Sequence, residues 1–87
     1  MSTQEAARGQ EDPALTSIVA AVMGVSPGQL SDEDGPSTVG SWTSRKQIEL
    51  LVAVEEHYGL SLDDQEVFGA GTIGGLRRIL RDRGALA

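Results

Sequence analysis

The chain has 87 residues and a mass of 9.1 kDa, which allows one hydrophobic core and no second one. Thirteen acids against seven bases leave a net charge of −6, without the basic footprint that nucleic-acid binding needs. With no cysteine and one histidine, His57, the chain has no disulfide, no thiolate metal site, no cysteine nucleophile and no histidine-built zinc site.

Residues 1–11 are polar and lack a periodic apolar pattern, and they read as a disordered tail. They also lack the basic start and apolar centre of a secretory signal, so the expected compartment is the cytoplasm. Asp12 then Pro13 reads as a helix start, a capping side chain followed by proline at the first helical position. Leu15, Ile18, Val19 and Val22 recur at i, i+3, i+4 and i+7, which predicts an amphipathic helix to about Met23, closed by Gly24. The densest apolar run, Ile18 to Val25, is far too short to span a bilayer, so no membrane contact is expected.

Residues 24–43 carry Gly24, Gly28, Gly35 and Gly40, Pro27 and Pro36, and an acidic cluster at 32–34. They predict a long loop without regular structure, pinned to the core by Leu30 and Val39. A second helix is expected from Ser44 to Gly59. Either Thr43 caps it, or Ser44 does, with Gln47 reaching back three residues later. Gln47, Leu50, Leu51, Val54 and Tyr58 form a broad buried stripe, and His57 lies at its edge. Ile48 and Val52 fall on the other side beside Glu49, Glu55 and Glu56. They read either as the margin of a wide buried face or as an apolar docking patch rimmed by carboxylates. Glu55 and Glu56 point about 100° apart on a helix and do not form an acid–base pair.

A short helix is expected from about Asp63 to Phe68, ended by Gly69 and Gly71. Thr72 reads as the cap of a last helix with Ile73, Leu76, Ile79 and Leu80 as its apolar stripe and Gly84 as its end. Gly74 and Gly75 each disfavour the helix by about 1 kcal/mol relative to alanine, which implies close packing near its start or a frayed first turn. No alternating strand pattern occurs. The elements predict an all-α bundle of three longer helices and one short one in a single domain, residues 12–84, with residues 85–87 as a C-terminal tail. Charge is uneven: residues 11–66 hold eleven acids and two bases, net −9, while residues 67–87 hold four arginines and Asp82, net +3.

The stretch WTSRKQIELLVAVEEHYGLSLDDQEVFGAGTIGGL resembles the acyl carrier protein family. Ile48, Leu50, Leu51, Val52, Val54, Glu55, Glu56, Tyr58 and Gly59 keep that family's spacing from the serine, and Asp64, Glu66, Val67, Thr72, Ile73, Gly74 and Leu76 match its later parts. The resemblance covers about residues 13–84 and implies a four-helix acyl-carrier-like bundle with a long loop between its first two helices. It places Ser44 where the family carries 4′-phosphopantetheine, taken from coenzyme A by a phosphopantetheinyl transferase. By the same resemblance Ile48, Glu49, Val52, Glu55 and Glu56 contact partners, which include acyltransferases, ketosynthases or other tailoring enzymes. Thr43 and Arg45 depart from the family's aspartate and leucine on either side of the serine, and Lys46 replaces an acid or small residue. They leave three possibilities: a dedicated transferase, slow modification, or none.

The residues themselves offer support. A helix N-terminus presents unpaired N–H groups and partial positive charge, Arg45 and Lys46 add cations, and a tethered arm would supply the thiol this chain lacks. Position alone leaves Ser44 as a helix cap or an attachment point. No catalytic set assembles around His57, so the chain is not expected to be an enzyme. The expected function is that of a monomeric acyl carrier holding an intermediate as a thioester. The composition, rich in Ala, Gly and Arg, leans toward polyketide or other secondary metabolism over fatty-acid synthesis. Alternatives are an unmodified carrier-like adaptor and a peptidyl or aminoacyl carrier, although Val39–Gly40–Ser41–Trp42–Thr43 lacks the usual Leu–Gly–Gly lead of the latter.

Overall fold

A computed structural model describes residues 13–86; the expected tail at 1–11 and the Asp12 cap lie outside them. Among the described residues four α-helices follow in order: α1 Pro13–Met23, α2 Ser44–Tyr58, α3 Asp64–Ala70 and α4 Ile73–Asp82. Among the described residues there is no strand, and the all-α bundle of three longer helices and one short one is the observed architecture.

The core is aliphatic because the apolar stripes of the helices face one another. Leu15, Val19 and Met23 of α1 meet Leu50, Leu51 and Val54 of α2, Val67 of α3, and Ile73, Leu76 and Leu80 of α4. Trp42 and Leu62 enter from the connections. Ala85 and Leu86, expected in a tail, also pack against this cluster, and the Ala85 N–H donates to Leu80 O at 2.9 Å.

Each end of α2 has a local cause. Thr43 is extended, and its hydroxyl accepts the Lys46 N–H at 3.2 Å, so one orphan donor of the first turn is satisfied. At the other end Gly59 adopts φ 69°, and its N–H and that of Leu60 both donate to Glu55 O. Asp63 caps α3 through the Gln65 N–H. That helix runs two residues further than expected, to Ala70. Gly69 remains helical, and the left-handed turn falls only at Gly71.

The connection between α1 and α2 is less irregular than expected. Pro27–Gln29 forms a 3₁₀ turn, and the Ser26 N–H donates to Gln29 Oε1 at 3.0 Å. Leu30 and Val39 pack on the core, as their apolar character implies. Asp34 organises the next turn by accepting the Thr38 hydroxyl at 2.8 Å and the Ser31 N–H at 2.8 Å, and these bonds hold its carboxyl below the usual carboxylate range.

This loop docks on the start of α4. The Ile73 and Gly74 N–H groups donate to Asp34 O and Asp32 O at 2.9 and 2.8 Å. The buried Arg77 guanidinium grips the Asp32 carboxylate through Nε at 3.1 Å and Nη2 at 2.9 Å, and Nη2 also reaches Thr16 Oγ1. One side chain thus joins loop, α1 and α4. The glycines are explained by closeness of approach: a Cβ on Gly35 would lie 2.1 Å from Gly71 O, and one on Gly75 2.3 Å from Ala70 O. The helix start is close-packed rather than frayed.

Candidate functional site

Ser44 is the first residue of α2 and is exposed. Because Thr43 takes the capping role, the Ser44 hydroxyl is released from it and forms no hydrogen bond to any described residue. The contrast with Ser41, three residues earlier, is sharp: its hydroxyl donates to Met23 O at 2.9 Å and is committed to fixing the loop on α1. Gln47 is not the partner of a Ser44 cap either. It is 6% exposed, and its Oε1 accepts the Trp42 Nε1–H at 2.5 Å.

The electrostatics at Ser44 favour an anion. The Ser44 and Arg45 N–H groups have no acceptor among the described residues and lie at the positive end of the helix dipole. Arg45 is exposed beside them. Lys46 turns toward Glu49, with Nζ 3.6 Å from the carboxylate, so of the two expected cations Arg45 is the less committed. An exposed hydroxyl with two free N–H groups and a guanidinium is a donor set that fits a phosphodiester.

Beyond the serine, α2 presents Ile48 at 55% and Val52 at 48% exposure, with Glu49 and Glu56 also exposed. Glu55 stands apart from them. It is half-buried, and its Oε2 accepts the Leu62 N–H at 2.7 Å, tying the end of α2 to the connection before α3. Phe68 on α3, 49% exposed, is a large apolar side chain in solvent to which the sequence assigned no role beyond the end of the expected short helix. Its even mixture of polar and apolar neighbours gave no periodic signal. His57 is exposed, its ring edge-on to Tyr58 with centroids 4.6 Å apart, rather than at the margin of the buried stripe.

Two buried polar groups escaped the sequence reading in their roles. Arg77 was grouped with the C-terminal positive charges but is enclosed and paired with Asp32. Gln47 stood in an apolar stripe, and a polar residue in such a stripe signals a buried partner, here Trp42. Among the described residues no group of three or more His, Cys, Asp and Glu is placed to hold a metal, and no helix is long and apolar enough to cross a membrane.

The family described as "PP-binding: Phosphopantetheine attachment site" matches residues 13–80, all four described helices except the last two residues of α4. Searches of curated proteins and of solved structures returned no significant match. Domains of this family are generally non-catalytic carriers that bear a covalent 4′-phosphopantetheine arm and meet partner enzymes such as transferases. With the match spanning most of the chain and an exposed serine at the head of α2 within it, the chain belongs to the phosphopantetheine attachment family and is a carrier protein.

Proposed function

We propose that Ser44 bears the arm, and that the protein presents an acyl or polyketide intermediate to partner enzymes of polyketide or related secondary metabolism. The observation that carries this reading is the Ser44 hydroxyl, exposed and unpaired among the described residues at the N-terminus of α2. In the attachment step Ser44 Oγ forms a new bond to phosphorus. A P–O bond of the coenzyme A pyrophosphate breaks, adenosine 3′,5′-bisphosphate leaves, and the serine proton passes to a base on the transferase. The Ser44 and Arg45 N–H groups and the Arg45 guanidinium are the groups that would hold the phosphodiester. When bound, the arm supplies the thiol on which an acyl group is held as a thioester. The protein's contribution is tethering, which raises the effective concentration of the load at each partner.

Partner recognition is assigned to the outward face of α2. Ile48 and Val52 supply apolar contact, with Glu49 and Glu56 steering toward basic surfaces. Glu55 belongs to the same face, although one of its oxygens is engaged by Leu62. The protein works as a cytoplasmic monomer. A second reading, an adaptor that docks enzymes without an arm, draws on Thr43 and Arg45, where the resemblance expects an acid and a leucine.

The purified protein is incubated with coenzyme A and a broad-specificity transferase, and its intact mass is read. The expected result is the gain of one phosphopantetheine on the wild type and none on Ser44→Ala. No gain on the wild type favours the adaptor, and a gain on Ser44→Ala removes the serine from the account.

A further inference from the structure

Among the described residues Gln47 and Arg77 are the buried polar side chains. Arg77 joins three elements, which accounts for it. Gln47 needs another reason. A leucine at that position would continue the stripe of Leu50, Leu51 and Val54 without an amide to satisfy. The amide is matched by one donor, the Trp42 indole N–H, itself 6% exposed and inside the core cluster. An indole nitrogen only donates, so the Gln47 carbonyl must face it and the orientation of the side chain is fixed.

The bond runs from two residues before Ser44 to three residues after it. Around the same turn the Thr43 hydroxyl accepts the Lys46 N–H, Thr43 O accepts the Gln47 N–H at 2.9 Å, and the Ser41 hydroxyl holds Met23 O. Helix ends open most readily, because their first N–H groups lack intrahelical acceptors. Here the side-chain bond spans the end that would otherwise fray. Apolar contact alone would bury Trp42 without fixing its direction, whereas a hydrogen bond has a preferred line.

We infer that Trp42 and Gln47 are positioning residues, forming a latch that clamps the first turn of α2 and so holds the Ser44 hydroxyl where a transferase meets it. The inference rests on Ser44 being the attachment point and adds what keeps it in place. Misplacement of a reacting group by about 1 Å is enough to slow a reaction on the order of a hundredfold, so a latch at this point governs rate.

The test removes the polar pair and leaves apolar side chains in its place: Trp42→Phe with Gln47→Leu. Two quantities are read on the full chain, hydrogen exchange at the Lys46 and Gln47 amides against that at Val54, and kcat/KM of phosphopantetheine transfer. The expected result is that exchange at Lys46 and Gln47 quickens about tenfold relative to Val54 and kcat/KM falls about tenfold, while melting drops only by what the smaller ring costs. A purely structural pair would shift melting and all three amides together. Wild-type exchange at Lys46 overturns the latch. Faster exchange with wild-type transfer overturns its service to Ser44. If the wild type takes no arm, the attachment reading fails and the inference with it, while the exchange data still show whether the clamp exists. Should the double variant not fold by circular dichroism, Gln47→Met, of similar volume and without the acceptor, carries the same comparison.

Discussion

Two serines three residues apart have different chemistry because of what their hydroxyls touch. Ser41 is spent on Met23 O, and Ser44 is left open because its neighbour Thr43 performs the capping. No property of serine itself distinguishes them. The same contrast separates the apolar residues of α2. Leu50 is fully enclosed, whereas Ile48 and Val52 are about half exposed. Truncating Leu50 to alanine is expected to lower stability by about 2–5 kcal/mol, as a core truncation does. Ile48→Ala and Val52→Ala are expected to change it by about 0.5 kcal/mol or less while weakening partner binding. Urea unfolding of the three variants checks this, and a core-sized loss at Ile48 or Val52 would place them in the interior.

At the scale of elements, the helices were legible in the sequence because their causes are local. The 3.6-residue recurrence of Leu15, Ile18, Val19 and Val22, the Thr72 cap, and Gly59 and Gly84 at the ends all lie within a few residues of what they shape. Ser44 stood out as the candidate attachment residue through its register with the helix that follows. Whether Thr43 or Ser44 caps was not legible, because either hydroxyl serves and only the realised backbone chooses. The loop was read least well because its determinants are distant: Asp32 meets Arg77 across 45 residues of sequence, and the Ile73 and Gly74 N–H groups are filled by carbonyls of the loop. Gly35 is the sharpest expression of that docking. A methyl group there would collide with Gly71 O, so Gly35→Ala is expected to destabilise the protein by about 1–3 kcal/mol. A solvent-exposed glycine without neighbours, Gly40, is the control, and equal urea midpoints for the two alanine variants would show that the loop yields freely.

Across the whole molecule, the uneven charge of the sequence is partly cancelled by folding. Arg77 pairs with Asp32 and Arg83 with Glu66, so α4 projects less positive charge than its four-arginine segment suggests. The chain retains its net −6, with Glu49 and Glu56 exposed on the face that begins at Ser44. Association with a basic partner surface is therefore expected to slow about tenfold or more between about 50 mM and about 500 mM salt, with a much smaller slope for Glu49→Lys combined with Glu56→Lys. Stopped-flow association rates read this, and salt-independent rates for the wild type would remove the steering role. All of these consequences converge on one oxygen atom. The most direct measurement is fragment mass mapping of the protein after incubation with coenzyme A and transferase. The account predicts the arm on the fragment containing Ser44 and on no other. An arm on Ser37, Ser41 or Ser61, or an unaltered chain, would contradict it.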